Sequence, residues 1–73
     1  MDLTQSFSTA VRRARTDRGW TQEQAAEAVS ISVRWYQRIE RGRIPGAVVT
    51  LRLVLLYQLS VEQFQEQLNI QSI

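Results

Sequence analysis

Apolar positions along this chain recur with a helical period, and nowhere do apolar and polar residues alternate long enough to argue for a strand. Phe7, Val11 and Ala14 mark one side of a first helix over about 4–18, which stops at Gly19. Ala25, Ala26 and Val29 mark a second, over about 22–29. A third, over about 33–41, ends at Gly42, and a fourth begins near Ala47 and reaches about Tyr57. Val61, Phe64 and Leu68, at i, i+3 and i+7, predict a fifth after Ser60. Start signals agree with these limits. Asp2 with Gln5, Thr21 with Gln24, and Ser60 with Gln63 have the capping-box spacing, and Ser32 stands where it can cap the third helix. The pattern predicts an all-α fold: a compact five-helix bundle forming one domain over residues 1–73, with two short helices at 22–41 and a C-terminal helix or tail at 60–73.

Composition fits one small folded domain of 73 residues, 44% apolar and 22% charged. The absences exclude more. Without cysteine there is no disulfide scaffold, thiolate metal site or cysteine nucleophile, and without histidine the usual general base near neutral pH is missing. We therefore expect no catalytic residues, no metal and no cofactor. Leu53–Tyr57, the longest apolar run at five residues, is far short of the roughly 20 that span a bilayer. Residues 1–5 lack a basic region followed by an apolar stretch, so neither a secretory signal nor a membrane partner is expected, and the expected location is the cytoplasm. The nine basic residues are all arginine; against seven acids they leave +2, too little to name a partner.

The spacing of the second and third helices says more. Only Ser30, Ile31 and Ser32 separate them, so they must cross steeply, and a steep crossing needs a small residue such as Ala26 at the contact. This is the helix-turn-helix arrangement, whose second helix can lie in the major groove of DNA. On a helical wheel Trp35, Tyr36 and Ile39 fall together as a packing stripe. Gln37, Arg34 and Arg38 fall opposite, with Val33 at the edge. Arginine and glutamine carry paired hydrogen-bonding groups that match guanine and adenine edges. The alternative is a solvated polar face of the kind any amphipathic helix carries.

Residues 22–41, QEQAAEAVSISVRWYQRIER, resemble the helix-turn-helix of the XRE family, the phage Cro and repressor type. The pattern has Gln at its first position (Gln22), Ala at its fifth (Ala26), and apolar residues where Ala25, Val29, Ile31, Tyr36 and Ile39 stand. Arg15, Gly19, Trp20 and Thr21 precede it in matching positions, and Ile39-Glu40-Arg41-Gly42 with Pro45 follow. The resemblance covers about residues 7–64. It implies a lambda-repressor-like fold, a bacterial or phage origin, and a double-stranded DNA partner. It also implies a structural ion pair between Arg15 and Glu40, and a glutamine at 22 that braces the reading helix. Three positions depart from the pattern: Ser30 and Gln58 replace frequent glycines, and Ala25 replaces a leucine, leaving volume that Trp20, Trp35 or Tyr36 could fill.

Site expectations follow. Val33, Arg34, Gln37 and Arg38 are the candidate base contacts. Thr21 and Gln22 stand where free backbone N–H groups at a helix start can hold a phosphate, although Thr21 also suits an N-cap. Arg43, in the loop after the third helix, is a further phosphate candidate, as similar loops in the family are; Arg41 and Arg12 are weaker ones. Trp35 and Tyr36 suit the core better than a stacking platform, with the Tyr36 hydroxyl at the margin of reach of a phosphate. Residues 12–43 hold eight arginines against four acids, whereas residues 44–73 hold one against two. The fourth helix is apolar on too many sides: Ala47, Leu51, Val54 and Tyr57 offer one face to the core, while Val48, Val49, Leu55 and Leu56 lie elsewhere. Leu55, Leu56, Leu68, Ile70 and Ile73 are candidates for a homodimer interface. The expectation is a transcriptional regulator, a repressor reading an inverted repeat as a homodimer. The alternative is an antitoxin or interaction subunit that grips a partner protein through the fourth helix and tail.

Overall fold

The computed structural model describes residues 3–60, and these contain four helices: α1 (Leu3–Asp17), α2 (Gln22–Val29), α3 (Val33–Glu40) and α4 (Ala47–Tyr57). The expected fifth helix, with Leu68, Ile70 and Ile73, lies outside the described residues.

Local chemistry sets the boundaries. α1 ends in a turn through Gly19, whose φ of 70° lies in the left-handed region open to glycine. α2 starts with a complete capping box. Thr21 Oγ1 accepts from the Gln24 N–H at 3.1 Å, and Gln24 Oε1 accepts from the Thr21 N–H at 2.8 Å. α2 stops at Ser30, which adopts φ 62° and ψ 44°, while the Ile31 N–H reaches back to the Ala26 carbonyl at 3.0 Å. Serine there holds a conformation that costs an L-residue about 1 kcal/mol relative to glycine. Gln58 holds the same conformation at the end of α4, with φ 55°. Ser32 caps α3 by accepting from the Trp35 N–H at 3.0 Å.

The core gathers where α2 and α3 cross between α1 and α4. Ala25 and Ala26 are buried at the crossing, so the two helices approach closely. Val11, Val29, Tyr36, Ile39, Leu53 and Tyr57 fill the space around them, and Phe7, Trp20, Ile31, Trp35, Val49, Leu56 and Leu59 pack at its edge. Tyr36 is fully buried, and its hydroxyl meets the Tyr57 hydroxyl at 2.6 Å. The Trp20 and Tyr57 rings lie 6.2 Å apart, and the Arg18 guanidinium sits over Tyr57 at 5.1 Å.

Two expectations are corrected. The Tyr36 hydroxyl is sealed in the core and cannot reach a phosphate. The inward face of α4 is Val49, Leu53, Leu56 and Tyr57, which shares only Tyr57 with the face read from the wheel: Leu51 is 61% exposed, Ala47 is also exposed and Val54 is half-buried. A helix whose only polar side chains are Thr50 and Arg52 gives the wheel little polar direction to turn outward. Its rotation is fixed instead by the Tyr57–Tyr36 bond and by Arg52, which donates to the Val29 carbonyl at 3.2 Å. As a result Leu56 turns toward the core, and Val48, Leu51 and Leu55 face outward.

Candidate nucleic-acid interface

α3 carries the site on one side and its own mounting on the other. Its first turn is set by the Ser32 cap, which brings Val33 and Arg34 to the exposed start of the helix. Tyr36 and Ile39 anchor the inner side with no exposure. Arg34 and Arg38 are exposed, Val33 and Gln37 half-buried. Thus the four candidate base contacts share the outer side of one rigid helix, although Val33 also packs against the core edge.

The mounting is polar and buried. Glu40, 3% exposed, receives two hydrogen bonds from Arg15: Nε to Oε2 at 2.6 Å and NH2 to Oε1 at 3.1 Å. Arg15 NH1 also donates to the Trp20 carbonyl at 3.0 Å, so one side chain ties α1 to α3 and to the turn before α2. Burial alone would push the Glu40 carboxyl up, but hydrogen bonds from Arg15 and Gln22 more than offset it and hold it below its ordinary value. The Arg15 guanidinium is raised in turn, chiefly by its bond to Glu40. Burial and the bond with Tyr57 push the Tyr36 hydroxyl far above its usual range, so it stays protonated.

Gln22 does more than begin α2. Its Nε2 donates to Glu40 Oε1 at 3.1 Å, and its Oε1 accepts from Gln37 Nε2 at 3.1 Å. The side chain therefore braces α3, and any phosphate contact from Gln22 falls to its backbone N–H at the start of α2. Thr21 is exposed beside it and engaged in the capping box. Sequence reasoning missed Gln37 as Gln22's partner, because the wheel places it simply on the polar side.

Positive charge extends beyond α3. Arg43 follows Gly42, and its backbone N–H bonds the Arg38 carbonyl at 2.9 Å, folding the loop back against the helix end. Arg38, Arg41, Gly42 and Arg43 together line a shallow open depression. Among the described residues, the side chains of Arg34, Arg38, Arg41 and Arg43, and of Arg13 exposed on α1, form no ion pair or hydrogen bond, whereas those of Arg12, Arg15, Arg18 and Arg52 are engaged with the protein. Arg12 donates to the Glu40 carbonyl at 3.0 Å while its side chain stays 59% exposed. Among the described residues no group of acidic side chains could hold a metal ion, and no helix is long and apolar enough to cross a membrane.

Two short helices crossing through a three-residue turn, with free arginines on the outer side of the second, define a DNA-binding helix-turn-helix module. Comparison with protein families matches residues 6–67 to the family described as a helix-turn-helix domain. The chain belongs to that family, a domain typical of XRE-like DNA-binding regulators. Comparison with curated proteins and with solved structures gave no match.

Proposed function

We propose that the protein is a sequence-specific regulator of transcription, a repressor that binds its operator as a homodimer through α3. The observation that carries this reading is the division of arginines: Arg15 and Arg18 belong to the fold, while Arg34 and Arg38 are exposed and unengaged on the outer side of α3. Arg34, Gln37 and Arg38 read base edges, and Val33 meets a thymine methyl. Thr21 and Gln22 at the start of α2, with Arg43 after α3, hold phosphates and set the register. In this reading the protein is a binding module rather than an enzyme.

Dimerisation rests on a separate observation. Val48, Leu51 and Leu55 are 63%, 61% and 77% exposed and recur along α4 at spacings of three and four, with Ile44, 64% exposed, in the loop before the helix. That is the seam of a two-helix contact, which a second copy of the same helix satisfies about a two-fold axis. Of the residues expected there, Leu55 lies on this seam, Leu56 packs against its own core, and Leu68, Ile70 and Ile73 lie outside the described residues. A two-fold pair would present two reading helices about 34 Å apart, one turn of duplex.

Selection of bound duplexes from a random pool tests both parts. The reading expects an inverted repeat with half-sites one turn apart, and sedimentation equilibrium at micromolar protein should give twice the chain mass. Recovery of duplexes with no common sequence would overturn the regulator reading. A single half-site bound by a monomer would overturn the dimer alone.

A further inference from the structure

The polar contacts behind α3 run as one chain from the buried ion pair to the reading side. Glu40 Oε1 accepts from Arg15 and from Gln22 Nε2; Gln22 Oε1 accepts from Gln37 Nε2. The direction of that chain is forced. A carboxylate has acceptors only, whereas a glutamine amide has a donor end and an acceptor end. Glu40 therefore compels Gln22 to turn its nitrogen inward, which leaves the Gln22 oxygen facing α3. That oxygen in turn compels Gln37 to point its own nitrogen at Gln22. An unbraced surface glutamine can present either end of its amide to a partner. Gln37 cannot: it has Oε1 and one N–H left to offer.

We propose that Glu40, acting through Gln22, fixes Gln37 as a reader of adenine. The inference rests on α3 reading bases in the major groove. Adenine offers an amino donor at N6 and an acceptor at N7, which pair with Gln37 Oε1 and its remaining N–H. Guanine offers acceptors at both O6 and N7, so its O6 meets the Gln37 oxygen unfavourably. Thymine presents an acceptor where Oε1 needs a donor. Cytosine satisfies Oε1 through its N4 amino group and leaves the N–H unmatched. The order is adenine first, cytosine next, guanine and thymine last. Gln22 is here a positioning residue: it sets the identity of the base that Gln37 accepts.

The test uses the full chain and a duplex selected by it from a random pool. Gln37→Ala identifies the base pair, because preference should vanish at that position alone. Four duplexes differing only there are then compared. Wild type should favour adenine over guanine by roughly tenfold or more. Gln22→Met keeps the bulk and removes both ends of the bridge, so the ratio should fall to threefold or less, whatever its loss of overall affinity. Preference at the base pair assigned to Arg34 should persist. Gln22→Ala repeats the measurement should the methionine variant fold poorly, and the wild-type order decides the base identity without either variant. Guanine or thymine preferred at that position, adenine preference unchanged in both Gln22 variants, or no position responding to Gln37→Ala would each overturn the inference while leaving operator binding intact. Absence of any sequence preference in wild type would overturn the operator reading together with it.

Discussion

Replacing Arg15 by methionine removes the guanidinium that neutralises Glu40 while keeping the aliphatic stem. Glu40 then loses hydrogen bonds of 2.6 and 3.1 Å, the Trp20 carbonyl loses one of 3.0 Å, and the carboxylate remains 2% exposed. Two contacts survive: Gln22 Nε2 at 3.1 Å, and Arg12 Nε at 3.9 Å on a side chain 59% exposed and so largely screened. Breaking a buried pair from one side costs about 3–5 kcal/mol, and the surviving Gln22 bond places this case near 3. A domain of 73 residues has roughly 4–11 kcal/mol in total, so the variant should sit close to unfolding. At about 4–8 °C per kcal/mol, the melting temperature should drop by about 12–24 °C. Thermal melting followed by far-ultraviolet circular dichroism at pH 7 measures it. The double variant Arg15→Met/Glu40→Leu strands no charge and should recover part of the loss. A drop under about 4 °C, or a double variant less stable than Arg15→Met alone, would refute the reasoning.

Other outcomes follow from the same contacts. The Glu40 carboxyl is held below its usual value, so the folded chain binds that proton less readily than the unfolded chain. Its contribution to stability is full above an ordinary value of 4.5 and lost as pH falls through the lower folded value. A melting series from about pH 7 to 3 should fall more steeply for wild type than for Glu40→Gln, and parallel curves would contradict this. Ser30→Gly relieves a left-handed serine and should add about 1 kcal/mol in urea unfolding; no gain would mean Ser30 is not strained. Arg43→Ala should weaken all duplexes alike and lower the salt slope by about 1, and a changed sequence preference would show that Arg43 reads bases.

Much of the fold was legible in the sequence because its signals are local. The Thr21 and Ser32 caps, the glycine after α1 and the three-residue turn each act within a few residues, and the limits of α2 and α4 agree with the pattern. The Arg15–Glu40 bond was expected only through resemblance, since the two lie 25 residues apart. Three features were not legible. The rotation of α4 was misread because it is apolar on too many sides, with only Thr50 and Arg52 polar, and the Tyr36–Tyr57 pair that sets it spans two helices. Gln37 looked like any outward polar residue, and only the crossing of α2 and α3 brings Gln22 to it. Arg15 was set apart by resemblance, but Arg12, Arg18 and Arg52 were distinguishable from the free arginines only once their partners could be seen.

The central claim is that α3 reads bases while its surroundings set position. Selection from a random duplex pool with Arg34→Ala, beside wild type, tests it most directly. The account predicts the same half-site with preference lost at one base pair, and an affinity for the wild-type duplex lower by about 1–3 kcal/mol. An unchanged preferred sequence, bound uniformly more weakly, would contradict it and make Arg34 a phosphate contact.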